Sequence, residues 1–167
     1  MKMQKIIISG PPGSGKTTII NKLKDLGYKC FCEVTPPKLD LSKSQNKLKL
    51  SKYVFKHRIL QYQTNNLKIS FYDRSLIDVV AYMNYWKMKY PTQWDEDIND
   101  LKYFNKVFYT PSWEEIYTQS EIRHEKFTEA TKIDVFLRKA YLNFNYKIIE
   151  LPMSDINERV KFIINNI

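Results

Sequence analysis

The sequence predicts an α/β domain, a three-layer α/β/α fold on a mostly parallel five-stranded sheet, and three observations carry that reading. Short β-prone apolar runs alternate with stretches of helical spacing along the 167 residues, which implies parallel strands joined by crossover helices. The length suits one core, since domains commonly run to roughly 100–200 residues, so residues 1–167 are read as a single nucleotide-binding domain. With 43% hydrophobic and 14% aromatic residues, the chain has enough apolar material to order that core.

Taken in order, Lys5 to Ser9 reads as a buried first strand, followed by a glycine-rich turn and an amphipathic helix from about Lys16 to Leu26. Gly27 sits where a helix end wants positive φ. Lys29 to Val34 is apolar enough to be a central strand, and Pro36 and Pro37 end it. Residues 35–50 are polar and basic with little periodicity and read as a flexible segment, whereas Ser51 to Leu67 regains helical spacing through Val54, Ile59 and Leu60. Ile69 to Tyr72 is a strand ending at Asp73, and Leu76, Ile77, Val80, Ala81 and Tyr85 then share one helical face. Residues 86–103 read as an insertion or an extra helix. Lys106 to Thr110 returns to strand character, closed by Pro111, with Ser112 positioned to cap a following helix. Phe127 to Asn143 is a long helix, Tyr146 to Leu151 a strand, and Ser154 to Asn165 a final amphipathic helix.

The charge balance, 27 basic against 18 acidic residues for a net +9, implies an anionic partner such as nucleotide phosphate, nucleic acid or acidic lipid. Much of the excess lies in residues 38–58, where Lys38, Lys43, Lys47, Lys49, Lys52, Lys56 and Arg58 face the single acid Asp40. Such a run reads as a solvated face first, with nucleic acid or anionic membrane as partners not favoured. Cys30 and Cys32, two apart on a strand, are expected as reduced packing residues, since an unstrained disulfide does not suit that spacing. Neither a signal peptide nor a membrane span is apparent, so a cytoplasmic location is the expectation. The sequence does not speak to oligomeric state.

Gly10-Pro11-Pro12-Gly13-Ser14-Gly15-Lys16-Thr17 satisfies G-x-x-x-x-G-K-S/T, the Walker A phosphate loop, and Thr18 follows it. Glycines let backbone N–H groups turn inward around phosphate oxygens, Lys16 supplies a point charge, and Thr17 offers a hydroxyl to Mg²⁺. The chain has only four glycines, and three of them stand in this loop. ATP, or GTP in its place, with Mg²⁺ is therefore the expected cofactor set. A switch GTPase is excluded in practice, because its Asp-x-x-Gly needs a glycine and none follows Gly27. Thr131-Lys-Ile-Asp134 matches a guanine-reading Asn/Thr-Lys-x-Asp element but falls inside a helical pattern, and is read as a solvated helix face. A hydrolysing motor usually shows two adjacent acids after an apolar strand, whereas here Asp73 is followed by Arg74. Acid then arginine points to phosphoryl transfer between small molecules.

Asp73-Arg74-Ser75, at a strand end and opening a helix, resembles the acid-Arg-Ser/Tyr motif of deoxyribonucleoside and thymidylate kinases. The resemblance implies that the acid stands near the metal and that the arginine steadies the acceptor or the transferring phosphate. Cys32-Glu33-Val34-Thr35-Pro36 is similar to the segment carrying the Glu that takes the substrate hydroxyl's proton in nucleoside kinases; Glu33 is read either as that base or as a solvated strand-end carboxylate. The chain as a whole is similar to the small predicted-ATPase family with an AAA-type domain related to the NadR and TRPL-translocation-defect proteins. That likeness runs from the phosphate loop through Asp73-Arg-Ser-Leu-Ile-Asp78, Val107-Phe-Tyr-Thr-Pro-Ser-Trp-Glu-Glu-Ile-Tyr117 and Arg123 to the closing elements.

Residues 112–126 occupy the place of a kinase lid, and Arg123 is read as its finger over the phosphates. His124 is assigned to the surface, Trp113 and Tyr117 to a packing pair rather than a base-stacking platform, and His57 to a structural or exposed position. The resulting expectation is a kinase acting on a nucleoside- or nucleotide-like small molecule. Lys16 and the loop amides hold the donor, Thr17 and Asp73 the metal, Glu33 the acceptor proton, and Arg74 with Arg123 the developing charge. A nucleotide-dependent regulatory module and a slow NTPase are the alternatives.

Overall fold

In a computed structural model, which describes residues 3–64, 67–117 and 126–167, five strands form one sheet in the order β2-β3-β1-β4-β5, with every pairing parallel. The strands are β1 (Gln4–Ser9), β2 (Lys29–Phe31), β3 (Ile69–Asp73), β4 (Lys106–Tyr109) and β5 (Lys147–Glu150). The helices are α1 (Lys16–Asp25), α2 (Ser44–Gln63), α3 (Leu76–Tyr85), α4 (Gln93–Asp100), α5 (Phe127–Asn143) and α6 (Ile156–Asn165).

The three middle strands are apolar on both faces, as a parallel sheet covered by helices requires. Alternation along β1 sends Ile6 and Ile8 to one face, with Ile19, Ile20 and Leu23 of α1 and Val160 and Ile163 of α6. Ile7 goes to the other, with Val80 of α3 and Leu137 and Tyr141 of α5. Helices thus cover both faces, α1 beside α6 and α3 between α2 and α5. Among the described residues no helix is long and apolar enough to cross a membrane.

Several expectations need correction. The second strand is three residues long and lies at the sheet edge, pairing with β3 alone. Its Lys29 is exposed and Cys30 and Phe31 are half-buried, so it lacks the two apolar faces that β1, β3 and β4 bring to the centre. Cys32 consequently lies beyond the strand and is exposed, with the Lys24 ammonium 2.8 Å from its sulfur, while Cys30 packs against the core; both thiols are free.

Helix α2 begins at Ser44, so residues 44–50 are helical rather than irregular. Asp40 sets the entry: its carboxylate accepts from the Ser42 amide and hydroxyl, and its carbonyl accepts from the Asn46 side chain. Lys38, Lys43, Lys49, Lys52 and Lys56 are exposed, as a solvated face should be, but Lys47 lies over the Trp86 ring and Arg58 is buried. The stretch 86–103 contains the extra helix α4, seated by Trp94, which stacks on Phe55 at 4.2 Å.

Ser112 caps no helix. A single 3₁₀ turn, Glu114–Ile116, follows it with Trp113 at its N-terminal boundary. Asp134 is no solvated helix residue either: it accepts from the Tyr109 hydroxyl at 2.5 Å and from Arg138, tying α5 to β4.

Candidate active site

The phosphate loop leaves β1 at the sheet centre and is held from outside. Gly10, at φ 147°, has no room for a side chain, since a Cβ would lie 2.1 Å from Thr110 Oγ1 and 2.3 Å from the Thr110 carbonyl. Thr110, just past β4, donates from its amide to the Ser9 carbonyl at 2.8 Å and shares a hydrogen bond of 2.5 Å with the Ser14 hydroxyl. Ser14 also donates to the Pro11 carbonyl at 2.7 Å. Lys16 opens α1 and folds back, its ammonium donating to the Pro11 carbonyl at 2.7 Å and to Ser14 Oγ at 3.3 Å. Burial and the neighbouring Arg74 cation push its pKa down to about 7, against the pull of Asp73 and Glu33. Thr17 and Thr18 stand exposed on the first turn of α1.

Strand β3 lies beside β1, with Asp73 opposite Ile8. Asp73 is 3% exposed, and its Oδ1 has no hydrogen-bond partner among the described residues. Burial and the Glu33 carboxylate raise its pKa, opposed by Lys16 and Arg74. A buried, electron-rich oxygen without a donor and an exposed hydroxyl on the first turn of α1 are ligand types suited to a hard divalent cation. Thr17 and Asp73 therefore fit Mg²⁺ by ligand type.

Arg74 adopts a left-handed backbone at φ 71°, which turns its side chain back over the loop. Its Nε donates to Glu33 Oε1 at 2.9 Å, and Nη1 reaches the Gly10 carbonyl at 3.2 Å and Asp78 Oδ1 at 3.3 Å. Asp78 accepts in addition from the Ser9 hydroxyl at 2.5 Å, the Ser75 amide at 2.8 Å and the Tyr141 hydroxyl. Both its oxygens are satisfied, so it serves as a rigid seat for Arg74 rather than as a free base.

Glu33 follows β2 at the edge of a cleft of about 460 Å³ that is bordered by Val54, Arg58, Arg74, Tyr82 and Trp86. Burial works to raise its pKa, but Arg74, Lys16 and Arg58 outweigh it and hold the carboxylate below its ordinary value. Glu33 is thus ionised at neutral pH and able to accept a proton. Arg58, 1% exposed, donates to Gln61 Oε1 at 3.0 Å and to the Cys32 carbonyl at 3.4 Å, while its Nε has no partner among the described residues.

Residues 5–159 match the model of an AAA domain (AAA_28). The chain belongs to this AAA-domain family. No curated protein matches it. Among solved structures this AAA domain is similar to a deoxyadenosine kinase from M. mycoides with bound dATP, at 21% identity and TM-score 0.66 over 98% of each chain. It is also similar to the YorR protein of Bacillus subtilis in complex with phosphorylated GDP, at 18% identity and TM-score 0.66 over 98% of this chain and 95% of that one. A thymidylate kinase from Candida albicans aligns at 15% identity and TM-score 0.63, covering 99% of this chain and 91% of that one. At these identities the likeness is one of fold, and it agrees with the five-stranded parallel sheet.

Within this AAA domain Lys16, Glu33, Asp73 and Arg74 come together at the carboxyl ends of β1, β2 and β3. Arg123 and His124, with residues 118–125 of the predicted lid, lie outside the described residues. Trp113 lies under the Arg159 guanidinium at 5.7 Å, and Tyr117 meets Phe127 edge-on at 5.4 Å. His57 is half-buried and bonded to the Tyr53 carbonyl at 2.7 Å, a structural position. The roles of Asp78, Thr110, Tyr141 and Arg58 escape a reading of the sequence alone. Asp78 left one signal: it stands three residues after Ser75, and the two close a capping box at the start of α3.

Proposed function

We propose that this chain is a kinase that transfers the γ-phosphoryl group of a nucleoside triphosphate, ATP or GTP, to a hydroxyl of a nucleoside-like small molecule. The Arg74–Glu33 ion pair supports this reading most directly, because it sets an ionised carboxylate at the mouth of a cleft lined by Val54, Tyr82 and Trp86 beside a phosphate loop. A water-activating site has no need of a cleft with room for an acceptor.

In this scheme the loop amides and Lys16 bind the donor phosphates, and the acceptor lies between Glu33 and the aromatic wall of Tyr82 and Trp86. Glu33 takes the proton of the acceptor hydroxyl as that oxygen forms its bond to the γ-phosphorus and the bond to the β-bridging oxygen breaks. The nucleoside diphosphate leaves with its new charge opposite Lys16. Arg74, held by Asp78 and the Gly10 carbonyl, faces the charge on the transferring group. Thr17 and Asp73 would hold Mg²⁺, which would supply charge neutralisation to the donor phosphates.

The roles are tested by comparing binding with turnover. Glu33→Gln and Arg74→Ala are expected to keep nucleotide affinity within a few-fold and to lose transfer to the acceptor. Unchanged turnover in both variants would show that the assignment is wrong.

A further inference from the structure

Arg159 of α6 is a buried cation without a countercharge. It is 4% exposed, its Nε has no hydrogen-bond partner, and no carboxylate pairs with it among the described residues. Burial alone lowers its pKa, with no acid acting in the other direction. The Trp113 ring, 5.7 Å from the guanidinium, covers it on one side. An uncompensated buried charge lowers stability, and such local violations belong to sites of function.

The contacts of Arg159 identify that function. Its Nη2 donates to the Ser14 carbonyl at 3.3 Å, and its Nη1 stands where a side chain on Gly15 would begin, 2.9 Å from an added Cβ. Gly15 has φ 88°, so glycine here serves both the left-handed backbone and the approach of the guanidinium. In a trans peptide the carbonyl and the next amide N–H point in opposite directions, and none of the described peptide bonds is cis. A Ser14 carbonyl turned outward to α6 therefore turns the Gly15 N–H inward, to the concave side of the loop where phosphate oxygens bind. A charged donor on that carbonyl also polarises the peptide and strengthens its N–H as a donor.

We infer that Arg159 is a positioning residue for the donor: by holding the Ser14 carbonyl it aims and polarises the Gly15 amide toward the bound phosphate chain, whose negative charge supplies the missing countercharge. This rests on the donor role of the phosphate loop proposed above. Arg159 acts through the Ser14–Gly15 peptide and is not among the residues that border the acceptor cleft.

The test sets the melting temperature of the ligand-free protein beside equilibrium binding of Mg·ATP and Mg·tripolyphosphate, in the wild type, Arg159→Met and Arg159→Lys. Methionine fills the site without the charge, and an apolar chain in place of an unpaired cation is expected to leave the melting temperature unchanged or to raise it. Affinity for both probes is expected to fall by the same factor in Arg159→Met, at least about tenfold, the scale of a lost hydrogen bond to a charged group. Arg159→Lys is expected to recover part of that loss. A lowered melting temperature in Arg159→Met would make Arg159 a fold contact and overturn the inference. A loss that Arg159→Lys does not lessen, or one confined to Mg·ATP and so assigned to the nucleoside, overturns it as well. If the wild type binds both probes and Arg159→Met binds them equally well, this inference falls alone; if the wild type binds neither, the loop reading falls and the inference with it.

Discussion

Arg74 and Glu33, 41 residues apart in the chain, meet at 2.9 Å with the arginine side chain 8% and the carboxylate 55% exposed. The asymmetry assigns their parts. Arg74 is fixed from behind by Asp78 and the Gly10 carbonyl, and its left-handed backbone, a strain of about 1–3 kcal/mol, is sustained by those contacts. Glu33 has one such anchor and otherwise faces the cleft.

Arg74→Lys keeps the charge but loses the fork that contacts Glu33, Gly10 and Asp78 at once. Transfer to the acceptor is expected to fall by about 10²–10³, the scale of one lost transition-state donor, with nucleotide affinity changed far less. Steady-state kinetics beside equilibrium binding will separate the two.

The acid limb of the pH–rate profile follows Glu33. Its carboxyl is held below the ordinary 4.5 mainly by Arg74 and Lys16, in opposition to burial, so the proton-accepting form persists as pH falls until that lowered pKa is reached. Removing the cation in Arg74→Ala lets the pKa rise, and the acid limb of that variant's residual transfer is expected to move to higher pH. An acid limb that stays in place would mean another group controls it.

Lys16 near 7 in the free protein predicts proton uptake on binding. Triphosphate oxygens beside the ammonium raise its pKa back, so binding draws in a proton at pH 7–8, and affinity declines as pH rises through that window. Titration calorimetry in buffers of different ionisation enthalpy reads the uptake directly; Lys16→Met is expected to abolish it.

Gly10 and Gly27 both have positive φ, but a Cβ at Gly27 meets nothing within 4 Å whereas one at Gly10 strikes Thr110. Gly27→Ala is expected to cost about 1–2 kcal/mol through backbone strain alone. Gly10→Ala is expected to cost more and to abolish nucleotide binding. Chemical denaturation of the two variants checks the order.

Tyr141→Phe removes one donor from the buried Asp78 and leaves Ser9 and Ser75 in place. A loss of about 1–3 kcal/mol in stability is expected, with a smaller fall in transfer rate than Arg74→Lys causes.

Most of this architecture was legible because its determinants are local. The loop's glycines and Lys16 and the apolar runs of β1, β3 and β4 each declare their element within a few residues, and α5 has the predicted ends, Phe127 and Asn143. What stayed hidden depends on partners distant in sequence. The edge position of β2 follows from competition among strands for the sheet centre. The inward turn of Arg58 follows from the cleft wall it joins. Thr110 and Asp78 matter through residues that stand 96 and 69 positions away in the chain, Ser14 and Ser9 respectively, and no periodicity reports such pairings.

The central claim, phosphoryl transfer to a cleft-bound acceptor, is tested most directly by resolving the products formed from Mg·ATP and Mg·GTP with a panel of nucleosides and nucleotides against a water-only control. A phosphorylated nucleoside-like acceptor, formed well above the rate of hydrolysis by the wild type and lost in Glu33→Gln, is the predicted result. Nucleotide binding with release of inorganic phosphate alone, whatever acceptor is supplied, would contradict the account.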